Sequence, residues 1–177
     1  MNQRLIIAGF GGQGVLSMGQ LLAYAGMLES KNVTWLPSYG PEMRGGTANC
    51  NVIISDEPIG APIVTDATAA IIMNLPSLSK FETAVEPGGL IFINSSLIDK
   101  KTSRSDIEAI YIPANDIAAE LNNDKVANMI ILGAYLKKTN AVHVESILES
   151  LKKVLGPGKE KLIPLNREAL AKGASLV

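Results

Sequence analysis

The first thirty residues constrain the fold most. A short apolar run over residues 4–8 leads into Gly9-Phe10-Gly11-Gly12-Gln13-Gly14, and residues 15–29 then follow a helical period. Val15, Met18, Leu22 and Ala25 share one face of that helix, with Leu21 and Leu28 beside it. The six-residue turn matches G-x-G-x-x-G and lies between a strand and a helix, the context of a phosphate-binding turn. Missing Cβ atoms let the chain reverse tightly and let a diphosphate approach the backbone amides. The helix N-terminus then adds N–H donors and partial positive charge.

The alternation continues. Residues 33–36, 48–55, 69–74, 90–94 and 109–112 read as strands, and 78–85, 124–138 and 144–155 as helices, with a last helix starting near Asn166. Asp116 and Asp124 are candidate helix caps. Pro87-Gly88-Gly89 reads as a turn. Several strands are apolar throughout, which predicts an α/β domain with a mostly parallel sheet covered on both faces. Residues 47–63 look like strand after strand without a helix, so an antiparallel element is expected there. The 177 residues suit a single domain spanning 1–177.

Specific nucleotide chemistries fit the turn poorly. A dinucleotide fold places an acid at the end of the second strand, but here the strand ends Thr34-Trp35-Leu36-Pro37, and Glu29 lies before it. A Walker A loop needs Gly-Lys-Ser/Thr where this turn has Gly14-Val15-Leu16. From the residues alone, the glycines serve either an anionic ligand or close helix–strand packing.

A second unusual segment follows the second strand: Pro37-Ser38-Tyr39-Gly40-Pro41-Glu42-Met43-Arg44-Gly45-Gly46. In a parallel sheet it would share the carboxyl edge with the glycine turn, where α/β ligands bind. Arg44 suits a carboxylate, a phosphate or an acid on a partner chain. A local Glu42–Arg44 surface pair accounts for the same residues.

Other chemistry is sparse. The only histidine, His143, stands at a helix start, and the only cysteine, Cys50, falls inside a strand. No nucleophile–base motif appears, and no cluster has metal-ligand spacing. A lone cysteine cannot form an intrachain disulfide and fits a reducing, cytoplasmic setting. Asn128, in Val126-Ala127-Asn128-Met129, is expected to be partly buried and to need hydrogen-bond partners. Charged residues are 19% of the chain, below the usual quarter, and the formal net charge is −1. That balance gives no electrostatic case for nucleic acid or an anionic membrane. No apolar run approaches a membrane span, and the N-terminus does not read as a secretory signal.

Taken together, the glycine turn and the segment from Thr34 to Cys50 resemble the gamma subunit of 2-oxoacid:ferredoxin oxidoreductases. Ser55-Asp56-Glu57-Pro58-Ile59, Val126-Ala127-Asn128-Met129 and Leu132-Gly133 resemble it as well. The likeness covers nearly the whole chain. It implies a Rossmann-like or flavodoxin-like domain of three layers, without catalytic residues of its own. It also implies a complex that oxidatively decarboxylates a 2-oxoacid to acyl-coenzyme A and reduces ferredoxin. Thiamine diphosphate, Mg and iron–sulfur clusters would belong to the alpha, beta and ferredoxin-like subunits, and coenzyme A would meet this domain. On the matching positions, Gly11, Gly12, Gln13 and Gly14 become the coenzyme A or anion site. Tyr39, Glu42, Arg44, Gly45 and Gly46 become the interface loop beside the active site. The loop wording looks closest to the 2-oxoglutarate and branched-chain members, narrowly favouring 2-oxoglutarate, with pyruvate a further alternative. An isolated chain with its interface exposed could form a homodimer. The competing readings are a free-standing nucleotide-binding Rossmann-like protein and a scaffold without a ligand.

Overall fold

The computed structural model describes residues 1–38 and 47–177. The apolar segments assemble into one six-stranded sheet built from β1 (Asn2–Phe10), β2 (Asn32–Ser38), β3 (Thr47–Ser55), β4 (Ala67–Ile72), β5 (Val85–Asn94) and β6 (Glu108–Ile112). Their spatial order is β2-β3-β1-β4-β5-β6. The β1-β4, β4-β5 and β5-β6 pairs are parallel, and β3 runs antiparallel to both β1 and β2. The helix-free stretch after Thr47 thus supplies the antiparallel element expected of it, because β3 returns beside β2 without a crossover helix.

Among the described residues, six α-helices complete the layers: α1 (Val15–Leu28), α2 (Leu75–Phe81), α3 (Ala114–Glu120), α4 (Ala127–Thr139), α5 (Val144–Leu155) and α6 (Ile163–Ala174). Alternation along the strands divides the core in two. Leu5, Ile7, Ile71 and Phe92 face α1 and α4, while Ile6, Ala8, Ile72 and Ile93 pack toward α2 and the loops beyond it. Every residue from Met129 to Leu136 is buried, so α4 is apolar all round and lies inside the helical layer. It crosses α6 with glycine on both sides. A Cβ on Gly133 would stand 2.0 Å from the Leu170 carbonyl oxygen, and one on Gly173 would stand 1.7 Å from that of Ile130.

Some local expectations differ. Pro87-Gly88-Gly89 is not a turn between elements. It lies inside β5, where the pairing with β4 shifts register and Gly88 takes a φ of 81°. Asp116 sits in the first turn of α3, which starts earlier, after Pro113. At α4, the side chain of Asn123, rather than Asp124, caps the preceding single 3₁₀ turn by accepting from the Lys125 amide at 3.0 Å. The last helix begins at Ile163, where Pro164 occupies a first-turn position that needs no N–H donor.

Candidate anion site at the carboxyl edge

The glycine turn closes β1 onto α1. The Gln13 amide donates to the Phe10 carbonyl at 3.2 Å, and the Phe10 amide donates back to Gln13 Oε1 at 2.6 Å. Gln13 Nε2 then donates to the Met73 carbonyl at the end of β4, at 3.1 Å. Gln13 is therefore committed to holding the turn against the sheet. Gly9 is required for packing: a Cβ there would meet Gln13 Oε1 at 2.6 Å and the Met73 Cβ at 2.7 Å. Gly12 differs. Its φ of 95° demands glycine, yet nothing lies within 4 Å of the missing Cβ. Gly11 and Gly12 are exposed and open to an incoming group.

Gly14 is the N-cap of α1 in the left-handed region, with φ 73°. Among the described residues, no side chain caps this helix and no acid stands in its first turn, which leaves its leading amides uncapped at the turn. Asn128, in the first turn of α4, packs against Gly14, with its Nδ2 2.3 Å from where a Cβ would be. It is half-buried, as expected, and its Oδ1 accepts from the Met129 amide at 2.9 Å. The starts of α1 and α4 thus flank one crevice of about 290 Å³, lined by Gly12, Met73, Asn115, Lys125 and Asn128 among others. Behind its wall, fully buried Asn94 donates Nδ2 to Asn115 Oδ1 at 2.8 Å, while its own Oδ1 has no partner among the described residues. Two helix starts and one lysine make this crevice suited to an anion with polar neighbours. Asp124, also on its lining, limits the net positive charge.

Asn94, Asn115 and Lys125 were not singled out from the sequence. An asparagine closing an apolar strand, as in Ile91-Phe92-Ile93-Asn94, was the available signal, since such a residue arrives at the carboxyl edge. Tyr39, Glu42, Arg44, Gly45 and Gly46 lie outside the described residues. Of the residues on either side of them, Thr47 pairs with Phe10 at the glycine turn, and Ser38 pairs with Asn49 one strand further out.

Cys50 is sealed between β3 and α1, its Sγ 3.7 Å from the Val15 carbonyl. Burial pushes its thiol up to about 12, against weaker opposing contacts from Trp35 and Gly19. The thiol therefore stays protonated near neutral pH in the folded chain. His143 is exposed at the N-cap of α5, and its backbone amide donates to Glu29 Oε1 at 2.6 Å. Among the described residues, no three His, Cys, Asp or Glu side chains converge on a metal position, and no helix is long and apolar enough to cross a membrane.

The model of the pyruvate ferredoxin/flavodoxin oxidoreductase family matches residues 4–176. The chain belongs to this family. Within it, ketoisovalerate oxidoreductase subunit VorA of Methanothermobacter thermautotrophicus is 40% identical over 172 residues, which are 97% of this chain and 35% of VorA. The chain thus spans about a third of the length of that relative. The 2-oxoglutarate synthase subunit KorC of Methanocaldococcus jannaschii is 32% identical over 164 residues, covering 91% of this chain and 88% of KorC. Among solved structures, the gamma subunit of a keto/oxoacid ferredoxin oxidoreductase from Geobacter sulfurreducens superposes with a TM-score of 0.82 at 25% identity. That match covers 98% of this chain and 96% of the Geobacter chain. The family fold therefore corresponds to the whole of the described sheet and its helices.

Proposed function

We propose that this chain is the gamma component of a 2-oxoacid:ferredoxin oxidoreductase, contributing assembly and a coenzyme A site but no catalytic side chain. The observation that carries the ligand reading is the open, uncapped turn from Gly11 to Gly14. Gly12 keeps a glycine-only conformation with nothing packed against it. Coenzyme A presents a diphosphate to such a turn. The described residues hold one buried cysteine and no convergent ligand set, so they do not fit an iron–sulfur cluster or a metal. Thiamine diphosphate with its Mg, and the iron–sulfur clusters, fall to alpha, beta and ferredoxin-like partners in a cytoplasmic complex that delivers electrons to ferredoxin.

For the oxoacid, the 40% identity to VorA favours a branched-chain substrate. The near full-length match to KorC favours 2-oxoglutarate, the reading that the loop wording prefers. Anaerobic affinity purification of the tagged chain from its native host, followed by mass spectrometry, tests the assembly. Thiamine-diphosphate-binding and ferredoxin-like chains are expected to co-purify, and assays with each 2-oxoacid then name the substrate. A chain that purifies alone and monomeric would overturn the subunit reading. Gly12→Asp adds a charge and a side chain at the open turn. Unchanged coenzyme A affinity in that variant would overturn the ligand reading.

A further inference from the structure

We propose that the outer edge of β2, with the adjoining flank of α1, pairs with the same edge of a second copy of this chain, antiparallel across a two-fold axis. The proposal goes beyond the subunit reading and involves no coenzyme A. Strand β2 ends the sheet, and among the described residues no strand pairs with its outer side. Such an edge offers a row of unpaired N–H and C=O groups, which proteins ordinarily blunt with charge or brevity. The other end of the sheet is blunted in that way. Strand β6 has 5 residues, its Glu108 pairs with Lys138 at 2.7 Å, and the Lys101 ammonium lies 5.9 Å from the centre of the Tyr111 ring. Strand β2 has 7 residues, and none is charged. Pro37 removes one donor near its end, which leaves Asn32 to Leu36 for pairing.

The helix beside this edge is free of charge as well. From Leu5 to Leu28 the chain contains no Asp, Glu, Lys or Arg. Gly19 and Gly26 seat α1 on Trp35 and Val33. Leu21 turns to α5, and Gln20, Ala23 and Met27, spaced three and four apart, form the flank on the β2 side. Met27 is 59% exposed. The nearest charges are already engaged: Lys31 pairs with Glu29 at 2.9 Å, and Asp56 pairs with the N-terminal ammonium at 2.6 Å. A surface without charge is matched by another of the same kind, because a charged partner would lose hydration without gaining a counter-ion. A two-fold copy supplies that match by construction. Centring the axis on Thr34 keeps Pro37 outside the ladder. It also sets Val33 opposite the second copy's Trp35, a β-branched–aromatic pair. The seam is about 23 Å long and about 15 Å deep through strand and helix. That is roughly 350 Å² per copy, against about 800 Å² in a standard interface, so the association is weak and reversible.

Sedimentation of the isolated full-length chain reads the association directly. Its mass should rise with concentration from one toward two copies of 18.7 kDa. Amide hydrogen exchange should slow at Val33 and Trp35 over the same range, with β6 unchanged. Leu36→Lys and Met27→Glu, both at exposed positions, should each weaken association about tenfold. Thr34→Glu should do the same. Mixing that chain with an equal amount of Thr34→Lys should restore association, since opposite charges then face each other across the axis. Recovery in the mixture also separates loss of the seam from misfolding. A chain that stays monomeric at every concentration overturns the proposal, as does a dimer that keeps its affinity in all three variants. Protection of β2 that appears only with co-purified chains of other sequence assigns the edge to those chains. That result overturns self-pairing and leaves the subunit reading intact.

Discussion

Gln13 joins two strands through one side chain: it accepts from the Phe10 amide at 2.6 Å and donates to the Met73 carbonyl at 3.1 Å. Among the glycine-turn positions that the family resemblance implies as an anion site, it is the one that is not glycine. The fold uses both ends of its amide to fix the turn, so its shown role is to set the backbone of the turn.

Gln13→Glu keeps the acceptor and removes the donor. A carboxylate then faces the Met73 carbonyl across 3.1 Å. We expect a loss of about 1–3 kcal/mol, read as a lower urea midpoint with unchanged slope.

Gly14→Ala meets two obstacles, a left-handed φ of 73° and a Cβ 2.3 Å from Asn128 Nδ2. The backbone conformation alone costs about 1–2 kcal/mol. Thermal unfolding should fall by several degrees, at roughly 2–4 °C per kcal/mol for this size. Asn128→Ala in the same chain should recover the part due to the contact and leave the backbone part. Equal losses in the single and double variants would contradict that division.

Gly133→Ala forces a methyl group against the Leu170 carbonyl, 2.0 Å from the ideal Cβ. The obstacle is helix backbone, so relief requires α4 and α6 to separate. The cost should reach about 3 kcal/mol, the upper end for overpacking, measured by circular dichroism on heating. A drop of under a degree would show that the helices part without penalty.

Cys50 sets a pH dependence. Its folded thiol titrates at about 12 because it is buried, while an unfolded thiol titrates near 8.5. Below the unfolded value both states hold the proton and stability is flat. Above it the unfolded state releases the proton first, so stability falls as pH rises, by up to about 1.4 kcal/mol per unit until about pH 12. Tyr135, raised by its own burial, adds a fall of the same sign above its ordinary value near 10. Cys50→Ala should flatten the curve between about pH 9 and 10, and native Cys50 should resist thiol reagents until the chain unfolds.

Much of this architecture is legible in the residues. Apolar runs such as Ile91-Phe92-Ile93 name strands buried on both faces, and the helix-free stretch after Thr47 gives away the reversed strand. The errors sit where local chemistry competes with pairing. Pro87-Gly88-Gly89 carries every mark of a turn, but the ladder with β4 continues past it through a register shift. Asp116 and Asp124 are good caps in isolation. Helix α3 starts earlier, after Pro113, while Asn123 caps a 3₁₀ turn that delays the start of α4 to Ala127. At the site, the glycine turn and Asn128 were visible as separate motifs 114 positions apart, and only the fold sets Asn128 against Gly14. Asn94 and Lys125 belong to no motif; burial marks the first and proximity to the glycine turn the second.

The glycines that let α4 and α6 touch backbone to backbone carry a mechanical consequence. Helices separated by long side chains can slide as rotamers readjust, but a carbonyl seated in the notch left by a missing side chain has no such slack. Gly133 and Gly173 therefore gear the C-terminal helix to the helix whose first turn presses on Gly14. Displacing α6 would therefore require either moving α4, whose first turn packs against Gly14, or breaking the backbone contact between the two helices.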